Sequence, residues 1–373
     1  MLRDFSKEKP GDRNDPVSLV AQGNASMING NVQDAAEKFR SAIKLKPDYD
    51  EAHLGLANAL TAQGYIDEGI SEYKEAIKYN NDNINAHNNL GNVYLNIHQL
   101  DDAEREIKEA IRINPDLHTA HFWLALVYLR KDQDEQSIAE LKECVRLKPD
   151  YHEAYNTMGR VYGLMNRVDE AIDSFRKAIE IKPDSPEYHN DLGIALSLND
   201  GLDDANKAFA EAIRIDPDFP DPHLNMGNNL LKMDNLDGAS FEFREAIRIN
   251  PYLEDAHVKL GYVYEKKGLI GEAMKQYREA LSINPDLLEA HFNLGLIYSN
   301  TERYEAAIKE FSDAIQIEPN NSSLYYYMGM VFMKLKLYTE AVQSFDMATR
   351  LEPDLKEYSE AKEKALEEKN KIK

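Results

Sequence analysis

Seven histidines recur along the chain at multiples of 34 residues: His53, His87, His121, His189, His223, His257 and His291. Imidazole ligates metals and trades protons near neutral pH, so such a ladder raises two chemistries, a metal centre and general acid–base catalysis. His118 and His121 are also spaced by one helical turn, and "EAHFNLGLIYSN" at 289–300 sets His, Asn, Gly and Tyr close together. That stretch is written again as "NAHNNLGNVYLN" at 85–96 and "DAHVKLGYVYEK" at 255–266. Catalysis needs one constellation in one cleft, whereas nearly every polar residue here has a periodic counterpart, so no catalytic residue is assigned. Equivalent helices in a stacked array lie roughly 8–10 Å apart, while zinc holds its nitrogens at about 2.0–2.1 Å. Rungs of the ladder therefore cannot share an ion, and no metal or other cofactor is expected.

The elements that carry these residues are set by the same period. Pro47, Pro115, Pro149, Pro183, Pro217, Pro251, Pro285, Pro319 and Pro353 share one phase of 34 residues, with Asn81 filling the gap. Taking this proline as residue 32 of each repeat gives ten repeats, starting at 16, 50, 84, 118, 152, 186, 220, 254, 288 and 322. Residue 8 is always small, from Gly23 and Ala57 to Gly295 and Gly329, and residue 20 is small too, from Ala35 to Ala341. Residue 24 is a large ring in eight repeats, as in Phe39, Tyr73, Phe311 and Phe345, and residue 27 is alanine except for Cys144. Two small residues let two helices approach closely, and a ring fills the groove beside the contact. Apolar spacings of three and four within each half of a repeat predict one helical hairpin per repeat. The histidines at residue 4 then read as packed rings, and Cys144 as a buried, inert thiol.

Composition narrows the function. The 373 residues carry a formal charge of -22 and a pI near 4.9, which argues against a nucleic-acid surface and favours a neutral or basic partner. One cysteine excludes an internal disulfide and any multi-thiolate site. No apolar run is long enough to span a bilayer, and "MLRDFSKEKPGDRNDP" has no hydrophobic segment of a signal peptide, so direct membrane insertion is not expected and a cytoplasmic location is.

The residues at 8, 20, 24, 27 and 32 resemble the tetratricopeptide repeat, whose pattern has Leu-Gly, Tyr, Ala, Phe and Pro at these offsets. The resemblance covers 16–355. It implies an all-α fold, an α-solenoid right-handed superhelix of ten hairpins, with 1–15 as a disordered extension and 356–373 as a C-terminal capping helix. It also implies a non-enzymatic scaffold that binds a protein or peptide segment in a concave groove lined by the first helix of each repeat. Residues 2, 5, 6, 9, 12 and 13 would point into that groove. On this basis the groove is zoned: amides at Asn58, Asn88, Asn89 and Asn92; an aromatic and basic patch at Phe122, Trp123, Arg130 and Arg160; Asn225 and Asn228; then Phe292, Asn293, Tyr326 and Tyr327. Asparagine can grip an extended backbone through both donor and acceptor, and a similar ladder belongs to the repeats of O-GlcNAc transferase, which these resemble. The carboxylate-holding pattern of chaperone adaptors, with Lys at residue 5, is absent. Alternatives are a self-associating platform, and a regulatory or targeting subunit of a glycosyltransferase or a secretion-type assembly.

Overall fold

The computed structural model describes residues 15–371. The expected N-terminal extension lies outside the described residues except for Asp15, whose carboxylate caps the first helix by accepting from the Ser18 amide at 3.1 Å. The described residues form 21 α-helices and no strand. They run as α1 (Pro16–Ile28), α2 (Val32–Leu45), α3 (Asp50–Ala62), α4 (Ile66–Tyr79), α5 (Ile84–Asn96), α6 (Leu100–Ile113), α7 (His118–Arg130), α8 (Asp134–Leu147), α9 (His152–Leu164) and α10 (Val168–Ile181). These make up one compact half, ending at Pro183. The other half, from Asp184, contains α11 (Pro186–Leu198), α12 (Leu202–Ile215), α13 (Pro220–Lys232), α14 (Leu236–Ile249), α15 (Glu254–Lys266), α16 (Ile270–Ile283), α17 (Leu288–Asn300), α18 (Tyr304–Ile317), α19 (Ser322–Lys334), α20 (Tyr338–Leu351) and α21 (Lys356–Lys371).

Each half is an α-solenoid. The first helix of a repeat packs antiparallel on the second, and the second packs on the first helix of the next repeat. Successive first helices also touch, as α3 does α5 and α11 does α13, while successive second helices stand farther apart. Such an array bends toward its first helices, which therefore line the inner face. The helices stop for a local reason. Lys46, Lys148, Asn250 and Glu352 each precede a proline, which disfavours the helical conformation, and each leaves it with φ between -128° and -140°.

The small residues do what their spacing predicts. At Gly193 an added Cβ would stand 2.5 Å from Phe209 Cε1, and at Gly159 it would stand 2.5 Å from Phe175 Cε1. The rings Phe39, Phe209, Phe243, Phe311 and Phe345 are fully buried against these contacts. α21 closes the second half with Tyr358 and Ala365 buried, and Lys362 Nζ bonds Asp346 at 2.6 Å.

The turn inside each hairpin holds a demand that the spacing rules do not reveal. Residue 15 of every repeat has positive φ, whether it is Gly30, Gly64 and Gly268 or His98, Asp132, Asn166, Asp200, Asp234, Glu302 and Lys336. A left-handed backbone costs a side-chain-bearing residue about 1–2 kcal/mol, part of which glycine loses again through its freer unfolded chain. Lys336→Gly and Glu302→Gly are each expected to stabilise the protein by about 0.5–1 kcal/mol, read as a rise in the urea midpoint with an unchanged slope.

Candidate binding groove

The histidines resolve into structure. His87 Nδ1 meets Glu106 Oε2 at 2.8 Å and its Nε2 meets the Asn81 carbonyl at 3.1 Å. His53, His121 and His291 repeat the arrangement with Glu72, Glu140 and Glu310 and with the carbonyls of Pro47, Pro115 and Pro285. Tyr325 occupies the same position and donates its hydroxyl to the Pro319 carbonyl at 3.0 Å. In these repeats residue 4 ties the first helix to the preceding turn, and where it is one of these histidines also to its own second helix. Among the described residues, His291, Glu310 and Asp313 bring three ligand-type atoms within 4.8 Å of one another. The imidazole there already bonds Glu310 at 2.7 Å and the Pro285 carbonyl at 3.0 Å, which is the repeating structural pair. Burial at the helix contact pushes the Cys144 thiol up to about 12, far from a reactive thiolate.

The inner face of the first half carries a connected set of amides. Asn58 Oδ1 accepts from the Tyr73 hydroxyl at 2.6 Å and from Asn89 Nδ2 at 3.0 Å, and Asn88 Nδ2 reaches Asn89 Oδ1 at 3.4 Å. All donors in this chain point toward Asn58. Its far end, Asn88 Oδ1, is buried without a partner. Asn92 is half-buried and accepts from Asn96 Nδ2 at 3.4 Å. Phe122 is buried, with its ring 5.2 Å from both Trp123 and Tyr151, whereas Trp123 is half-buried at the edge of the core. Arg130 and Arg160 are exposed.

In the second half, Asn225 and Asn228 line an open groove of about 620 Å³ together with Ile194, Leu198, Lys232, Lys259 and Tyr262. Asn225 Nδ2 bonds Asn190 Oδ1 at 3.0 Å, while Asn228 bonds no described residue. Phe292 and Tyr327 meet edge-on at 5.3 Å, and Asn293 lies beside the Tyr277 hydroxyl. Tyr326 packs on the capping helix, 5.0 Å from Tyr358, and donates to Glu357 at 2.7 Å. Of the fourteen sequence-derived groove residues, Phe122 and Tyr326 are thus committed to packing, and Asn58 and Asn89 to each other. Sequence reasoning passed over Lys232, Lys259 and Tyr262, although they occupy the same inward offsets. It also passed over Asn229, buried at residue 10 where the other repeats carry Ala, Val or Ile. Asn229 bonds the Leu202 carbonyl and Asn206, both at 3.2 Å, and accepts from Ser197, so it braces the wall of the groove.

Among the described residues no helix is long and apolar enough to cross a membrane. No curated protein matches the chain. Solved structures similar to it include one titled "Functional Characterization of Pseudomonas Aeruginosa pilF", at 18% identity over 56% of this chain and 95% of that one, with a TM-score of 0.51. Others are "Crystal structure of MamA", at 25% identity over 43% and 95% with TM-score 0.42, and "Crystal structure of YrrB: a TPR protein with an unusual peptide-binding site", at 21% over 50% and 96% with TM-score 0.44. Family models described as "TPR repeat" and "Tetratricopeptide repeat" match residues 270–301, and 288–321 with 322–355. Tetratricopeptide-repeat proteins are generally non-catalytic, and the chain is a protein-interaction scaffold. A further model, "Cilia and flagella-associated protein 70 C-terminal domain", matches residues 2–218, more than half of the 373 residues. The chain belongs to that family, which in this sequence is a run of tetratricopeptide repeats.

Proposed function

We propose that the first-helix face binds an extended segment of a protein partner, with amides taking its backbone and aromatic side chains taking its apolar residues. One observation carries this reading. Residues retained between repeats, such as His291, Leu294, Gly295 and Tyr298, are buried in the frame, while residues that vary at the inward offsets, such as Asn225 and Asn228, line an open groove. Long-range attraction from the acidic chain favours a partner of neutral or basic overall charge.

The test uses peptides selected from a random displayed library on the full chain. Trp123→Ala is expected to weaken the best peptide by about 2 kcal/mol, as aromatic hot spots do. Asn228→Ala is expected to change folding stability by no more than about 0.5 kcal/mol and to weaken a peptide that occupies the second half. Unchanged affinity in both variants, with wild-type melting, would refute the groove.

A further inference from the structure

We propose that the inner groove of the second half anchors an aspartate or glutamate of the bound segment on Lys232, with an apolar residue beside it on Ile194 and Leu198. This rests on the reading that the first-helix face binds a peptide, and it names the residue class recognised there. Lys232, Ile194 and Leu198 line the same open groove of about 620 Å³. Ile194 and Leu198 stand one turn apart on α11 and are 38% and 64% exposed, although both are large and apolar. Leu231 and Tyr262, half-buried on α13 and α15, line the groove with them.

A chain of hydrogen bonds with a buried root holds Lys232 at this groove. Asn229 is 1% exposed and stands at residue 10, where the other nine repeats carry Ala, Val or Ile. Its Nδ2 donates to the Leu202 carbonyl and to Asn206 Oδ1, both at 3.2 Å, so both amide hydrogens are spent and Oδ1 is left to accept. The Ser197 hydroxyl donates to that Oδ1, and its own oxygen accepts from Lys232 Nζ at 3.2 Å. An ammonium carries three donors, and this one spends a single donor on a neutral hydroxyl. Among the described residues no carboxylate pairs with it. A buried asparagine costs stability unless it is satisfied, and nine repeats build the same frame without one. The result is a cation fixed at an apolar groove with donors to spare, which a carboxylate completes through charge-assisted bonds. The second lysine of the groove is already neutralised, since Lys259 on α15 meets Glu289 at 3.2 Å and Asp255 at 3.9 Å. Asn228, one turn before Lys232 on α13, lines the same groove, and its amide suits the backbone beside the acid. α13 lies between α11 and α15, both of which contribute walls, so the segment passes Lys232 and continues, and the anchoring group is a side chain rather than a chain end. One such contact acts well inside a screening length of about 8 Å at physiological salt, so it is compatible with a partner of neutral or basic overall charge.

The experiment pans a random peptide library, displayed with free C-termini, on the full wild-type chain and sorts the selected peptides by loss of binding to the Ile194→Gln/Leu198→Gln variant. A second variant, Lys232→Met, removes the cation alone. All three side chains are exposed, so both variants are expected to melt with the wild type. Peptides that need Ile194 and Leu198 are expected to carry an acid at a fixed register next to an apolar residue. Changing that acid to its amide should weaken binding to wild type about tenfold and to Lys232→Met by less than about twofold, and amidating the C-terminus should change neither. Peptides of this set without a fixed acid, an equal loss on wild type and Lys232→Met, or a loss on C-terminal amidation alone would overturn the Lys232 seat and leave the peptide groove standing. Selected peptides that all keep their affinity for Ile194→Gln/Leu198→Gln would overturn the seat and put the bound segment elsewhere on the first-helix face. Enrichment of no peptide at all would overturn the groove and the seat together.

Discussion

Phe209→Ala is expected to remove about 3–5 kcal/mol of stability, the cost of emptying a large-ring site that cannot collapse. Phe209 is 1% exposed and lies where Gly193 brings the first helix of its hairpin against the second. The reciprocal change is informative. Gly193→Ala should gain up to about 1 kcal/mol in helix propensity, yet its Cβ would stand 2.5 Å from Phe209 Cε1. The net result is expected to be destabilising by about 1–3 kcal/mol, the usual cost of overpacking. The pair Gly193→Ala/Phe209→Leu should recover part of that loss, because the smaller side chain yields the space. Urea unfolding of wild type, Gly193→Ala, Phe209→Leu and the double variant measures the coupling, and strict additivity would contradict the glycine-ring account.

A second large effect concerns pH. For His87 burial opposes the charged ring, and the bonds to Glu106 and the Asn81 carbonyl, with the nearby charge of Glu109, outweigh it, so its pKa is raised. His121 is raised in the same way by Glu140, the Pro115 carbonyl and Glu143. For His291 the bond to Glu310 is the largest cause, aided by the Pro285 carbonyl and Asp313. A raised folded-state value means stabilisation that is complete below the ordinary histidine value of 6.5 and lost as pH climbs through the folded value. Glu106 moves the other way. Burial opposes its charge, but His87 and Arg105 lower its pKa, so its contribution is complete above the ordinary 4.5 and lost as pH falls through the lowered value. The pairs together favour maximal stability between 4.5 and 6.5. The melting temperature is expected to fall from pH 6 to pH 9, and His87→Gln/His121→Gln/His291→Gln to flatten that fall while lowering the pH 6 value. A wild-type curve that rises over this range would contradict the charged pairing.

Much of the frame was legible because each hairpin faces the same packing problem and solves it with the same residue types. Gly193 and Phe209, or Gly295 and Phe311, announce a close contact by size alone. The histidine pairing was legible too, in a register that was not compared. Residue 23 is glutamate (Glu72, Glu106, Glu140, Glu242 and Glu310) in five of the seven repeats where residue 4 is histidine, Gln276 opposite His257 and Ala208 in the repeat of His189, and it is Ser174 or Ser344 where residue 4 is Tyr155 or Tyr325. The left-handed turn was not legible from His98, Glu302 or Lys336, since their side chains give no sign of that backbone; only the glycines, asparagine and aspartates at residue 15 did. The groove was half legible. Its offsets followed from the repeat, but whether Tyr326 faces a ligand or the capping helix depends on α21, and whether Asn58 is free depends on Tyr73 and Asn89.

The division between a retained frame and a variable inner face is tested most directly by photo-cross-linking with a library-selected peptide. A photoreactive side chain is placed singly at Asn92 or Asn228 on first helices, and at Lys177 or Arg214 on the exposed surface of second helices. The account predicts covalent capture of the peptide from a first-helix position and none above background from the second-helix positions. Capture from Lys177 or Arg214 with Asn92 and Asn228 silent would contradict it.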